Sequence, residues 1–385
     1  MSTIESKPDS AIKEVRPTAT PHRHLMYLDG LRALAALYVV MDHASKYIDL
    51  RAYGSIESVL GLGHYAVNLF IVLSGFCLML PVVQKNGFLT TSAGRFYWKR
   101  AVRILPPYFL SIVFALVLIH TLIGTPTGTK WDQSIPVTNW DLFTHLTLMQ
   151  DVFPESVKKI NYVLWSVSVE WRIYLFFPLL IFAWRKWGVR STLLVVVLLS
   201  SAFWTVLFLQ NPLMEKNGLN PHYFGLFAMG MLAAQISFSG AETYAHLRSR
   251  WSWSWLLVLS STAVALITKY GVELPWILQD LTVGVWALCL LVAVSIGQSG
   301  FVFRLLSWRP LAFVGTFAYS IYLLHAPLLQ VLAQYVLAPL RLSPVAGLAF
   351  ILSAGLLLIV GFSYLFFWCC ERPFLIRKSR RLQAT

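Results

Sequence analysis

The run LDGLRALAALYVVMDHA, Leu28 to Ala44, sets a guanidinium, Arg32, and an imidazole, His43, eleven residues apart in a segment otherwise suited to lipid. A charge near a bilayer centre costs about 2.5–3.5 kcal/mol on insertion scales, so a membrane helix that keeps one has a use for it. At 100° per residue, eleven residues return to within about 20° of the same face and rise about 16 Å. Arg32 and His43 therefore share a face, with a permanent cation at one end and a base that titrates near neutral pH at the other. Ala36, Val39 and Val40 lie between them, so the stripe reads as a groove. The plainer alternatives are an Arg32 that snorkels to headgroups and a His43 satisfied by interfacial water. Neither accounts for the shared face. Asp42 points about 100° away from His43, and its role is open.

Further polar groups recur in apolar runs. In YWKRAVRILPPY, Arg100 and Arg103 are i,i+3 neighbours, and Pro106 and Pro107 should bend or break the helix beyond them. Paired guanidinium forks suit phosphate; ordinary contact with lipid phosphate is the alternative. In NYVLWSVSVEWRIYLFFP, Ser166, Glu170 and Tyr174 recur at i,i+4 and form one polar face. Glu170 is expected at the depth of His43, where a histidine partner would satisfy it; a structural ion pair is the other reading. In FAYSIYLLHAPLL, Tyr322 and His325 share a face. Asn68 completes a possible cluster of groups from four helices at one depth. Glu371, in CCERPF, is expected to pair with Arg100, Arg103 or Arg372 in a structural role.

The elements that must position these groups are membrane helices. Only 12% of the residues are charged and 57% are apolar, against about 25% charged in soluble domains. The net charge of +14 reads as basic cytoplasmic loops rather than a nucleic-acid surface. Ten spans are predicted, near 28–46, 59–80, 102–122, 162–183, 191–209, 222–238, 253–270, 276–296, 311–333 and 345–368. With the N-terminus inside, Lys and Arg number 21 in the inner segments and 8 in the outer ones, which supports both termini being cytoplasmic. The fold class is all-α, a polytopic transmembrane bundle. Residues 1–26 read as a disordered cytoplasmic tail, 27–374 as the membrane domain and 375–385 as a basic cytoplasmic tail. The long outer loop 123–161 is expected to be functional or disordered. Cys77, Cys289, Cys369 and Cys370 read as buried packing residues, and no metal spacing, Walker loop or GxSxG elbow occurs.

These blocks resemble the acyltransferase 3 family of integral-membrane O-acyltransferases. YLDGLRALAALYVVMDHA is similar to its R-x10-H helix and RAVR to its R-x-x-R motif. NLFIVLSGFCL, LWSVSVEWRIYLFFP, YSIYLLHAPL and ERPF are similar to later blocks, from about Tyr27 to Phe374. The resemblance implies transfer of an acyl group, commonly acetyl, from cytoplasmic acyl-CoA to a hydroxyl of an outward-facing glycan or glycolipid, with membrane lipids around it, in the plasma membrane. It implies His43 as general base, with Glu170 or His325 orienting it, and Arg32, Arg100 and Arg103 holding the polyanionic donor, with no metal. The competing reading is a secondary transporter for a glycan or lipid precursor.

Overall fold

The computed structural model describes residues 25–210, 218–270 and 274–375. The expected tails 1–26 and 375–385 lie outside it, except for Leu25, Leu375 and Met26, which already opens the first helix. Among the described residues every regular element is helical.

The main helices are α1 (Met26–Ser45), α2 (Gly63–Gln84), α3 (Ala93–Leu118), α4 (Asn139–Leu146), α5 (Trp165–Trp187) and α6 (Val189–Gln210). They continue with α7 (Tyr223–Phe238), α8 (Glu242–Arg250), α9 (Trp253–Tyr270), α10 (Trp276–Ser295), α11 (Arg309–Gly315), α12 (Ala318–Leu332) and α13 (Pro344–Leu375). Each expected span coincides with helix, and the ninth is divided between α11 and α12. By length and apolarity, 7 described helices can cross a membrane, or 8 if α7 and α8, bent by 91°, count as one. A multi-pass membrane protein follows. Pro106 and Pro107 do not break α3, which runs through both.

Burial separates lipid-facing helices from central ones. α6 buries only Thr192 and Trp204, while Leu194, Leu198, Leu199 and Phe203 are exposed. A largely apolar exposed face of this kind is stable in lipid and not in water. α1 is the opposite: it lies at the centre against α2, α11 and α12, with Ala36, Val39 and Val40 fully packed.

Close approach at glycine fixes these central crossings. A Cβ on Gly75 would fall 2.1 Å from the Phe227 carbonyl oxygen, and one on Gly230 would fall 1.9 Å from that of Val72, so α2 and α7 touch backbone to backbone.

The loop 123–161 is folded. Thr138 and Asp141 cap α4 reciprocally, Trp131 is fully buried, and Asn161 Nδ2 donates to the Leu323 carbonyl at 2.9 Å. Buried Asp151 pairs with Arg172 of α5. That pair, rather than Glu170, accounts for the arginine inside the fourth expected span.

Candidate active site

Two polar assemblies form where α1, α2, α3, α5 and α12 converge. The first is a cavity of about 300 Å³. Arg32 of α1, Arg100 and Arg103 of α3, Glu170 and Tyr174 of α5, Ser74 of α2 and Glu371 of α13 all line it. The three arginines expected to act together thus share one space. Arg32 donates to Asp29 at 2.6 Å and to Cys77 Sγ at 3.1 Å, so its guanidinium is turned into the protein and does not snorkel. Arg100 holds a buried Nε with no hydrogen-bond partner, a donor that an anion in the cavity would satisfy. Glu371 accepts from Ser320 at 2.6 Å and makes no ion pair within 4 Å among the described residues. The expected pairing of Glu371 with an arginine is replaced by this hydroxyl bond.

Glu170 belongs to the cavity. Its carboxylate accepts from Ser74 at 2.5 Å and from Tyr174. The i,i+4 face Ser166–Glu170–Tyr174 forms as the spacing predicts, but it turns toward the arginines, and Glu170 has no hydrogen bond to either imidazole. The apolar wall is built by Val67, Ile71, Leu73 and Val167. The cavity extends to Ser166 and Tyr322, whose hydroxyls bond at 2.6 Å.

The second assembly begins one helical turn further along α12. His43 Nδ1 and His325 Nε2 are 2.8 Å apart, with the rings nearly parallel at 9°. His325 Nδ1 faces the carbonyl oxygens of Tyr322 at 2.7 Å and Ile321 at 3.3 Å. A carbonyl only accepts, so this nitrogen carries the proton and His325 Nε2 is the bare one. It accepts from His43 Nδ1–H, which leaves the lone pair of His43 on Nε2. Asp42 Oδ2 lies 3.6 Å from that nitrogen, beyond hydrogen-bonding distance, and 3.6 Å separates Asp42 Oδ1 from Lys46 Nζ. His325 is fully buried, whereas the His43 side chain is 16% exposed, so only His43 can meet a substrate.

Two expectations about this region change. The α1 stripe between Arg32 and His43 is closed, because Ala36, Val39 and Val40 are packed; the open space runs instead between α2, α5 and α12. Asn68 does not join the histidines. Its Nδ2 donates to Asp280 at 2.6 Å, in a group where Asp280 also binds His64 at 2.8 Å and His222 at 2.7 Å. Asp280 was visible as a lone carboxylate in the apolar run WILQDLTVGVW, which by itself marks a site worth attention. Asp29 was visible as the i−3 neighbour of Arg32. Of the cysteines, Cys289 is buried, Cys77 lines the cavity and Cys369 is exposed.

Residues 25–368 match the sequence profile of the acyltransferase domain of the acyltransferase 3 family. The peptidoglycan O-acetyltransferase OatA of Listeria monocytogenes is 25% identical over 335 residues, 82% of this chain and 51% of that protein. The putative peptidoglycan O-acetyltransferase YrhL of Bacillus subtilis is 25% identical over 327 residues, 80% of this chain and 49% of that protein. The acyltransferase MdmB of Streptomyces mycarofaciens is 32% identical over 170 residues, 42% of this chain and 41% of that protein. The chain spans about half the length of the two O-acetyltransferases. No solved structure matches it significantly. The family profile covers nearly all of the described helices, including those that carry the arginine cavity and the histidine pair, and the chain belongs to the acyltransferase 3 family.

Proposed function

We propose that this chain is an O-acyltransferase of the plasma membrane, with both termini cytoplasmic. It moves an acyl group, acetyl in the simplest case, from cytoplasmic acyl-CoA to a hydroxyl of an outward-facing glycan or glycolipid. The observation that carries this reading is a base-bearing histidine pair one turn from the end of a cavity whose other wall carries three arginines. Arg100 and Arg103 suit the phosphates of CoA, with Arg32 deeper, and the apolar wall suits its pantetheine arm. A donor held in this way keeps its nucleotide on the cytoplasmic side and presents only the thioester to the histidines. The peptidoglycan named in two relatives makes a cell-wall glycan the first acceptor to try.

His43 Nε2 takes the proton of the acceptor hydroxyl as its oxygen attacks the thioester carbonyl. The carbonyl electron pair moves to oxygen. On collapse the C–S bond breaks, sulfur keeps the pair, and His43 returns the proton to it, giving the ester and free CoA thiol. His325 holds the imidazole in the reactive tautomer. General-base assistance of this kind is typically worth 10²–10⁴-fold. Glu170 acts on the donor side, anchoring Ser74 and Tyr174 beside the arginines.

The test is CoA release from acetyl-CoA by protein in lipid nanodiscs, with a crude glycan and lipid extract as acceptor and His43→Ala alongside. Acceptor-stimulated release that the variant lacks is expected. Equal release by the two proteins would remove His43 from the chemistry. A wild type that neither releases CoA nor binds acetyl-CoA would overturn the enzyme reading.

A further inference from the structure

The folded loop brings one cation to the histidine pair, and both of its neighbours in sequence are anchored. Thr129 Oγ1 donates to Gln330 at 2.8 Å, five residues beyond His325 on α12. Trp131 is fully buried and donates to the Ile123 carbonyl at 3.0 Å. Lys130 stands between these anchors. Its Nζ lies 4.9 Å from the centre of the Tyr162 ring, and that ring meets His43 edge-on at 5.2 Å. Among the described residues no carboxylate comes within 4 Å of this ammonium. The neighbouring loop acids are engaged elsewhere: Asp132 by the amides of Thr127 and Gly128, Asp141 by Thr138 and Ser156, and Asp151 by Arg172. A cation on a pinned stretch of chain, part-buried against an aromatic face beside the base, attracted by Asp42 but with no carboxylate within 4 Å among the described residues, is ready-placed for negative charge that appears during reaction.

We propose that Lys130 is a catalytic residue of acyl transfer, whose ammonium holds the oxyanion formed at the acyl carbonyl when the acceptor hydroxyl attacks. The inference rests on the acyltransferase reading and deepens it. The bond order is as above: the new C–O bond forms, the carbonyl pair collects on oxygen against Nζ–H, the proton goes to His43 Nε2, and the pair returns as the C–S bond breaks. Lys130 gives up no proton. Burial pulls its ammonium down to about 8, so it is still largely charged at neutral pH. Acting on charge present only in the transition state, it should move kcat and not KM.

The experiment compares wild type, Lys130→Met, Lys130→Arg and His43→Ala in nanodiscs, with acetyl-CoA as donor and an acceptor extract that supports turnover. Methionine keeps the apolar stem on Tyr162, and equal thermal midpoints show that the fold is retained. The expected result is a kcat for Lys130→Met about 10²–10³-fold below wild type, KM for donor and acceptor within about threefold, and partial recovery in Lys130→Arg. A folded Lys130→Met with wild-type kcat overturns the proposal. A raised acceptor KM at unchanged kcat also overturns it, since Lys130 would then hold a fixed anion of the acceptor. Both leave the acyltransferase reading intact if His43→Ala remains inactive. If Lys130→Met does not fold, Lys130→Arg decides: at equal thermal stability, wild-type kcat supports a role for the cation, and loss to the His43→Ala level overturns it. Wild type no more active than His43→Ala overturns both.

Discussion

His43 and His325, 282 positions apart in sequence, meet through a hydrogen bond of 2.8 Å whose direction is dictated by the backbone. Two carbonyl oxygens on α12 claim the Nδ1 proton of His325, and the rest follows: Nε2 of His325 accepts, Nδ1 of His43 donates, and Nε2 of His43 is left basic. His43 alone would sample both tautomers, and the backbone-fixed His325 selects one for it.

Replacing His325 by Ala should therefore impair His43 without removing it. We expect kcat to fall by about 10²-fold or more, in line with losses when a catalytic base is misoriented. His325→Gln should do better than His325→Ala, because an amide oxygen can accept from His43 Nδ1–H. Initial rates across pH 5–9 are the check. Identical rates for Ala and Gln would mean that the hydrogen bond does not matter.

Arg100→Ala with Arg103→Ala should raise KM for acetyl-CoA by at least about tenfold, since bonds to charged groups contribute about 1.5–3 kcal/mol each. Acetyl-pantetheine has no nucleotide phosphates, so the double variant and wild type should use it equally. If the variant is as poor with acetyl-pantetheine, the arginines shape the cavity and do not grip phosphate.

Gly75→Ala and Gly230→Ala each place a methyl into facing backbone, at 2.1 Å and 1.9 Å respectively. Helices α2 and α7 must separate to admit it, and overpacking of this kind costs about 1–3 kcal/mol or more. Lower yield of monodisperse protein and a lower thermal midpoint are expected, with Gly94→Ala as the silent control, since nothing lies within 4 Å of its added Cβ. A midpoint unchanged in Gly75→Ala would show that the crossing is not tight.

The loop should be acid-labile. Burial pulls the His145 imidazole down to about 4, from about 6.5 in the unfolded chain. Between those values the unfolded state binds a proton that the folded state refuses, so stability is intact above about pH 6.5 and falls as pH drops toward 4. Thermal midpoints at pH 7, 5.5 and 4.5 should decline, and less steeply in His145→Gln. Parallel declines would assign the acid sensitivity to other groups.

The helices and the polar residues gathered at the candidate site were legible because burial in lipid leaves long apolar runs and makes any polar residue conspicuous. Arg32, Arg100 and Arg103 stood out in this way and share one cavity. Their neighbours were not legible, because helix-face arithmetic says which residues of one helix align and not which helix they face. It put Glu170 with the histidines and Asn68 beside them, while the packing gives Glu170 to Ser74 and Tyr174 and Asn68 to Asp280. Lys130 was hidden for another reason. A lysine in a long polar loop looks like any other, and only the anchors at Thr129 and Trp131 bring it to His43.

The backbone claim on His325 has one more consequence. A line of polar groups buried among apolar helices is an invitation to a proton leak. A carbonyl oxygen, however, has no hydrogen to pass on, and His325 is sealed from solvent. The histidine pair therefore ends at His325: on the proposed mechanism, a proton taken up by His43 can leave only from His43 Nε2. On the proposed mechanism, acyl transfer through this site would therefore proceed without opening a proton path past His325.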